Sequence, residues 1–438
     1  MTGIEVGLLA IVLLLVAIYI GMHIGIALIL TALVGVGLLR DPWVAMRMAS
    51  AAANDSIREY LFGVVPLFVL MGLLVSVSGI GRDIFDVFEW LFRRVRGGLG
   101  VSTIGANAVF SAITGISIAS ASVFAKVAVP EMIRHGYTPM YATGAVAGSS
   151  VLGMLIPPSL LMIIYGVLAE ESIGRMFLAG VIPGIVLALA FCLATIAMAR
   201  FTPDFMFVRN HQKLVHSDET WLSATAKSLP IGGLILLVLG GLYGGLFTPT
   251  EAGAVGALGA LVIALGRRRL DLPKFWQVLV ETGHVSVSVL FLIIAASFYS
   301  RMLAMTGLPG GLTLMLQEWE LGPYGFLFAY VLITLALGCI IDSVSIMLIM
   351  LPIALPIVRA FEMDLIWFGV ITVVAIEVGL ITPPFGISVY TVRSALGKTA
   401  AVNIRQIFIG CIPFILCMLV LIALLIVFPN WSTWLARL

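Results

Sequence analysis

Two otherwise apolar stretches of this chain carry side chains whose oxygens could bind a small cation. The first stretch contains Gly115, Ser117 and Ser120, and the second contains Asp342, Ser343 and Ser345. Hydroxyls, carboxylates and unwound backbone carbonyls are the ligands that hard cations such as Na⁺ prefer. The predicted chemistry is therefore the binding of a hard cation such as sodium, without a transition metal or another cofactor.

The prolines and glycines around these stretches have the same spacing in both halves of the chain. In each half a glycine lies 23 residues after a proline, and a double proline lies 27 and 28 residues after that same first proline. The first set is Pro130, Gly153 and Pro157-Pro158, and the second is Pro356, Gly379 and Pro383-Pro384. A double proline inside an apolar helix is costly unless the carbonyls that it frees line a cavity. We predict two repeats, each with a polar hairpin facing a broken helix; chance similarity between proline-rich loops is the alternative.

Each hairpin and its facing break predict one sodium site. The ligands predicted for the first site are Gly115, Ser117, Ser120, Gly153 and Pro157, and those for the second are Asp342, Ser343, Ser345, Gly379, Thr382 and Pro383. Half-helix N-termini beside the breaks would also favour an anionic substrate. For the serines alone, the alternative is interhelical hydrogen bonding or close packing, which is common in membranes.

Three polar residues are predicted to contact that substrate: Ser120, Arg301 and Asp342. A charge at membrane depth costs roughly 2.5–3.5 kcal/mol on insertion scales and marks a functional residue, although Asp342 could instead lie at the interface in the mouth of its hairpin. Arg301 could pair with a substrate carboxylate or extend to the membrane interface. Glu377, four residues before the break at Ile381, is predicted to have a structural role or to support the site.

The composition is that of a membrane protein. Hydrophobic residues make up 61% of the 438 residues and charged residues only 11%, whereas soluble domains carry roughly 25% charged residues. The net charge of +2 provides no basic stripe for nucleic acid. The four cysteines show no metal-ligand spacing and lie within apolar stretches, at Cys192, Cys339, Cys411 and Cys417.

Ten apolar runs are long enough to cross a bilayer and predict an all-α polytopic membrane protein. They lie near 4–20, 23–39, 61–79, 138–168, 174–199, 229–246, 250–266, 283–304, 364–394 and 404–428. Two further segments, about 98–134 and 322–358, are broken by small or polar residues and are predicted to be re-entrant hairpins. The broken helices are predicted at about 138–168 and 364–394.

These elements predict a division of the chain into N-terminal scaffold spans at 1–60, a first repeat at 61–200, a cytoplasmic loop at 201–228 and a second repeat at 229–438. Segments 81–96 and 270–281 predict interfacial amphipathic helices, with ordinary connecting loops as the alternative. The string from Thr248 to Glu251 predicts a capped helix start. With the N-terminus outside, sixteen of the 24 Lys and Arg face the cytoplasm, as the positive-inside rule requires. An odd number of crossings separates the broken helices, so the repeats are inverted.

Several strings resemble the large membrane subunit of TRAP (tripartite ATP-independent periplasmic) transporters, the DctM-type protein. They include TGISIASASVFAKVAVPEMIRHGY (114–137), LGMLIPPSLLMIIYG (152–166), SIGRMFLAGVIPG (172–184), GLFTPTEAGAV (245–255), LGCIIDSVSIMLIMLPIALPIV (337–358) and EVGLITPPFGISVY (377–390). The resemblance implies an elevator-type, sodium-coupled carrier of organic anions such as C4-dicarboxylates, multi-pass in the bacterial inner membrane. It also implies two partners, a separate small membrane subunit and a soluble periplasmic substrate-binding protein. One position departs from the family, because Ile116 stands where a serine is usual, and this leaves open whether side chains or backbone carbonyls provide that site's ligands.

Two other functions compete with this interpretation. A standalone sodium-coupled dicarboxylate or anion carrier with a related inverted-repeat fold would need no partner, but the TPTEA and IPPS strings argue against it. An intramembrane protease would require an HExxH, GxGD or GxSG string, and none is present. The sequence therefore predicts a transporter and not an enzyme.

Overall fold

The computed structural model describes residues 1–58, 63–208, 220–397 and 402–437. Within these residues the chain is helical without a β-strand, and Tyr137 and Phe207 form an isolated antiparallel bridge. Seven described helices are long and apolar enough to cross a membrane, or eight if one bent pair is a single span, and five shorter apolar helices accompany them. The prediction of an all-α polytopic membrane protein is confirmed.

Three helices form the N-terminal part: α1 (Gly3–Tyr19), α2 (Ile24–Leu39) and α3 (Pro42–Arg58). The first begins at a capping box, in which the Thr2 hydroxyl accepts from the Glu5 amide and the Glu5 carboxylate accepts from the Thr2 amide. No apolar run predicted α3, because its polar residues interrupt the hydrophobic pattern (PWVAMRMASAAANDSIR). The three helices pack on one another in sequence order.

The first repeat contains the predicted hairpin and the predicted broken helix. Helices α6 and α7 are separated only by Gly115 and Ile116, and the double proline lies between α9 and α10. The helices are α4 (Val64–Val77), α5 (Ile80–Phe92), α6 (Gly98–Thr114), α7 (Ser117–Arg134), α8 (Pro139–Ser150), α9 (Leu152–Leu155), α10 (Leu160–Ala169) and α11 (Ile173–Phe201). The segment 81–96, predicted as an interfacial helix, contains most of α5, which turns by 65° from α4.

The segment predicted as a cytoplasmic loop, 201–228, is partly helical where it is described. It contains α12 (Pro203–Met206) and the beginning of α13 (Trp221–Ile235); residues 209–219 lie outside the described residues. A π-helical turn (Leu236–Gly240), α14 (Gly241–Tyr243) and α15 (Pro249–Gly266) follow. The predicted start of α15 is confirmed, because Thr248 and Glu251 form a capping box.

The second repeat has the same order of broken elements. The predicted break falls between α20 and α21, and the predicted hairpin is formed by α18 and α19. The helices are α16 (Leu272–Thr306), α17 (Leu308–Glu318), α18 (Pro323–Gly338), α19 (Ser343–Ala360), α20 (Leu365–Leu380), α21 (Ile387–Leu396), α22 (Ile404–Val427), α23 (Asn430–Thr433) and a final 3-10 turn (Leu435–Arg437).

The prediction of a separate interfacial helix at 270–281 is wrong. These residues belong to α16, a continuous helix of 35 residues that begins after the capping residue Asp271. Nothing between 281 and 284 breaks a helix, since the single glycine there, Gly283, costs only about 1 kcal/mol relative to alanine. The polar first turns therefore extend the crossing instead of lying apart from it.

The broken helices lie at the centre of the molecule. All residues of α8 from Tyr141 onward and all residues of α20 from Ile366 onward are buried. The two repeats meet there, because α20 packs against α9, α10 and α11 and the Tyr165 hydroxyl donates to the Leu365 carbonyl over 2.5 Å. The outer helices are more exposed, and only 33% of α15 is buried. Helices α8 and α20 are thus enclosed by helices with apolar outer faces.

Candidate functional site

The tip of the first hairpin is locked onto the first break. Helix α6 ends at Gly115, which has a positive φ of 63°, and α7 begins at Ser117 after one extended residue. The Leu160 amide donates to the Gly115 carbonyl over 3.2 Å, and a Cβ added at Gly115 would lie 2.5 Å from the Pro158 carbonyl oxygen. Only glycine combines this backbone conformation with such a close approach.

A small void lies between this tip and the break. Its volume is about 10 Å³, and its lining includes Thr114, Gly115, Ile116, Pro158 and Ser159. Phe68, Val69, Leu160 and Ile163 complete its lining, and a space of roughly 10–15 Å³ is enough for one water molecule. The predicted ligand Pro157 is buried beside it. Gly153 lies on the adjacent α9, where an added Cβ would be 3.2 Å from the Ser117 amide nitrogen.

Ser120 belongs to a buried polar cluster that the sequence did not reveal. Its hydroxyl donates to the Asn107 side-chain oxygen and lies 3.4 Å from the Ser111 hydroxyl. The Asn107 amide donates in turn to the Ser149 hydroxyl over 2.6 Å, and all four side chains are fully buried. The cluster joins both arms of the hairpin to α8. Its sequence signal was the recurrence of Thr103, Asn107 and Ser111 at four-residue intervals on α6, which places polar groups on one helix face.

The tip of the second hairpin is built in the same way. The Phe385 amide donates to the Cys339 carbonyl over 3.2 Å and joins this tip to its break. Asp342 caps α19, with its Oδ1 accepting from the Ser345 amide over 3.1 Å. Ser343 and Ser345 are buried. The structure therefore brings these predicted residues together at one helix start beside the second break.

Gly338 and Gly379 make the closest contact between the second hairpin and its broken helix. A Cβ added at Gly379 would lie 2.5 Å from the Gly338 Cα, which is a backbone atom and cannot rotate away. The predicted ligand Thr382 follows at the end of α20, where its hydroxyl donates to the Val378 carbonyl over 2.6 Å. The two glycines thus set the distance between tip and break.

The two breaks differ in exposure. Both double prolines contain a cis peptide bond, but Pro157 and Pro158 are buried, whereas Pro383 and Pro384 are exposed. The residues next to the second site are open as well, since Phe385 is 54% exposed and Ile340 is 58% exposed. In this structure the first site is enclosed and the second is accessible.

Arg301 lies away from either break, in an ion pair with Asp55. The two side chains are 2.8 Å apart and join α16 to α3. They line a cavity of about 700 Å³ that also contains the carboxylates of Glu170 and Glu171. With one guanidinium and three carboxylates, this cavity is net acidic. The pair with Asp55 uses one terminal nitrogen of Arg301, which leaves further donors of the guanidinium for a second carboxylate.

The glycine contact supports a first prediction. Gly379→Ala should separate the second hairpin from its break, because the added methyl group meets backbone and overpacking of this kind costs about 1–3 kcal/mol. The matched control is Gly283→Ala on α16, where an added Cβ would have nothing within 4 Å. We expect Gly379→Ala to lower the melting temperature of the purified protein and Gly283→Ala to leave it unchanged or raised. Equal melting temperatures for Gly379→Ala and the parent would show that the contact is not needed.

Comparison with known proteins shows a single family across the chain. The family described as "Tripartite ATP-independent periplasmic transporter, DctM component" matches residues 11–431. The C4-dicarboxylate TRAP transporter large permease protein DctM of Pseudomonas aeruginosa is 30% identical over 395 residues, which cover 88% of this chain and 90% of that protein. The sialic acid TRAP transporter large permease protein SiaM of Vibrio cholerae is 29% identical over 414 residues, covering 94% of both chains.

The fold is also similar to a solved structure of much lower sequence identity. Neisseria gonorrhoeae MtrF, described with a class of antimetabolite efflux pumps, superposes with a TM-score of 0.61 and 13% identity, covering 97% of this chain and 95% of that chain. At this identity the similarity concerns the arrangement of the helices alone.

Proposed function

Because this chain belongs to the DctM family of tripartite ATP-independent periplasmic transporters, we propose that it imports a carboxylate-containing organic anion together with sodium ions across the bacterial inner membrane. Members of this family are multi-pass transport permeases and not enzymes, and they work with a small membrane subunit and a periplasmic binding protein. The two hairpin tips support the finer assignment, to sodium coupling and an organic-anion substrate.

The observation that carries the proposal is the matched pair of tips and breaks. In each repeat an amide on the far side of a double proline donates to the carbonyl at a hairpin tip, from Leu160 to Gly115 and from Phe385 to Cys339. The double prolines leave carbonyl groups without helical partners, and such carbonyls with nearby hydroxyls are suitable ligands for Na⁺. The two contacts between a hairpin tip and a double-proline break, one in each repeat, therefore support two ion sites.

We assign the first ion to the enclosed tip and the second to the exposed tip. The residues that we assign to the first position are Gly115, Ser117, Gly153 and Pro157, and Ser120 holds the hairpin in shape through Asn107. The second position is formed by Asp342, Ser343, Ser345, Gly379, Thr382 and Pro383. The Ser117 hydroxyl is buried without a hydrogen-bond partner, which is costly in an apolar interior unless a ligand occupies the site.

The proposed substrate is an organic acid that binds near the exposed second tip. Half-helices begin beside each break, and helix N-termini attract anions. Two relatives are named for C4-dicarboxylates and for sialic acid, which share a carboxylate. Asp342 would act on this substrate through the sodium ion that it helps to hold, and Arg301 would do so through the donors that its pair with Asp55 leaves available. Movement of the hairpins and broken helices as one body, in the manner of an elevator, would then carry the site across the membrane.

The ion sites can be tested with two substitutions. Ser117→Leu and Ser343→Leu should each reduce sodium-driven uptake to background, because an added isobutyl group fills the space of the ion. Insertion should be retained, since each tip is held by backbone hydrogen bonds that the substitutions leave in place. The matched control is Ser394→Leu, at an exposed serine of α21, which should transport normally. Uptake is measured in proteoliposomes beside the amount of inserted protein, and normal uptake by both tip variants would exclude the tips as ion sites.

A further inference from the structure

Glu377 is a buried acidic residue whose charge has no partner in the described structure. Its side chain is 1% exposed, and neither carboxylate oxygen has a hydrogen-bond partner. Among the described residues no Lys, Arg or His side chain interacts with it. An ionised carboxylate in an apolar interior is strongly unfavourable unless a cation or hydrogen bonds compensate it. A carboxyl group in such a position must either hold a proton or be compensated by a bound cation.

The polar side chain that faces Glu377 comes from the other repeat. Glu377 lies on α20, and the side chain of Ser117, the first residue of α7, is close enough to interact with its carboxyl group. Ser117 is 0% exposed, and its hydroxyl also lacks a hydrogen-bond partner. Two unpartnered oxygen groups thus face each other in a buried place.

The backbone around these two groups belongs to the first ion site. Gly153 approaches the Ser117 amide, as an added Cβ would lie 3.2 Å from it. Helix α9, which carries Gly153, packs against α20. Glu377 therefore approaches the first hairpin from the second repeat, next to residues assigned to the first ion.

We propose that Glu377 is a ligand of the first sodium ion and supplies the negative charge of that site. The inference rests on the sodium coupling proposed above and adds to it a ligand from the opposite repeat. A carboxylate, a hydroxyl and backbone carbonyls form an all-oxygen set, which suits a hard cation. The ion would compensate the Glu377 charge and give the Ser117 hydroxyl a partner.

The two sites then receive one carboxylate each, but from positions that are not equivalent. Glu377 lies two residues before Gly379, and Val151 lies two residues before Gly153. At the second tip Asp342 precedes Ser343, where the first tip has Ile116 before Ser117. The first hairpin thus lacks an acidic residue at the position of Asp342, and Glu377 provides the missing charge.

The test measures sodium binding without requiring transport. The full chain is purified with its small subunit, and its melting temperature is followed as NaCl replaces choline chloride at constant ionic strength. The variants are Glu377→Gln and Glu377→Asp, each also combined with Ser343→Leu to disable the second site. The matched control is Thr372→Val, which removes a buried polar group elsewhere on α20, where Thr372 contacts Tyr330.

We expect Glu377→Gln to raise the sodium concentration for half-maximal stabilisation by at least about tenfold, equivalent to about 1.4 kcal/mol. In the Ser343→Leu background, where only the first site remains, Glu377→Gln should produce the same shift without a contribution from the second site. Thr372→Val should respond like the parent. If Glu377→Gln does not fold, Glu377→Asp retains the charge but withdraws it by one methylene group, and it should weaken sodium binding to a smaller degree.

A parent that responds to sodium, together with Glu377 variants that respond equally, would overturn the assignment of Glu377 and leave the proposed function intact. The assignment would also be overturned if the Glu377 variants kept the response of the melting temperature to sodium but lost its dependence on pH. Glu377 would then bind a proton and not sodium. A parent that shows no sodium response would overturn the proposed coupling and this inference together.

Discussion

Asp342→Asn is expected to reduce sodium-dependent uptake at least about tenfold while the protein still folds and assembles. Asparagine caps helices as well as aspartate does, so the bond from the Ser345 amide to the side chain of residue 342 is retained. The substitution removes only the charge. Two unit charges 4 Å apart interact by about 4 kcal/mol at an effective dielectric constant of 20 and about 1 kcal/mol in water, and each 1.4 kcal/mol is tenfold in binding.

A second capping aspartate provides the matched control. Asp271 caps α16 and accepts from the Lys274 amide over 2.8 Å, but it lies far along the chain from either break and is exposed. Asp271→Asn should therefore transport like the parent protein. The measurement is initial uptake into proteoliposomes at a fixed sodium gradient, with assembly checked by co-purification of the small subunit. Undiminished uptake by Asp342→Asn would remove this residue from the second site.

The chain reconstituted alone is expected to show almost no uptake. Activity should appear when the small membrane subunit and the substrate-loaded binding protein are both added. The reason is that the DctM family works with these two partners, whereas a standalone carrier would need neither. Uptake of a radiolabelled organic acid is compared for the chain alone, with each partner singly, and with both.

In the control, the complete system contains a variant of the binding protein that cannot bind the substrate. It distinguishes delivery of substrate from simple stabilisation of the membrane subunits. Robust uptake of free substrate by the isolated chain would contradict the expected dependence and would favour the standalone carrier.

The breaks in the helices could be predicted because their causes are local. A double proline cannot continue a helix whatever surrounds it, and the glycine at 115 ends α6 through its own backbone conformation. The same holds for the capping box at Thr248 and Glu251, where four consecutive residues determine the contact. The repeat was visible because these local signals recur at equal spacing in both halves.

Contacts between distant residues could not be predicted in this way. The partner of Arg301 is Asp55, 246 residues away, and nothing in either local sequence indicates the other. Asn107 and Ser111 were missed because single polar residues on an apolar helix are common in membrane proteins. Their role becomes apparent only when the hairpin folds and brings Ser120 against them. Glu377 was assigned a structural or supporting role for the same reason, since Ser117 reaches it from the other repeat.

The difference between the two tips also depends on tertiary structure. Their sequences have matching prolines and glycines, yet the first break is buried and the second is exposed. Alternating access requires that a carrier's site open to one side at a time. A static enclosure of one site and exposure of the other is expected for one state of such a cycle.

Uptake under an imposed membrane potential tests sodium-coupled import most directly. The chain, its small subunit and the loaded binding protein are placed in proteoliposomes with a fixed inward sodium gradient, and a potassium–valinomycin diffusion potential is applied in either direction. If a monoanion moves with two sodium ions, or a dianion with three, each cycle carries one positive charge inward. A potential of 100 mV, inside negative, then adds about 2.3 kcal/mol to the driving force for uptake. This raises the ratio of substrate inside to substrate outside by about 50-fold. Uptake that requires the sodium gradient and rises with the inside-negative potential is the predicted result, and uptake that proceeds equally without sodium and ignores the potential would contradict it.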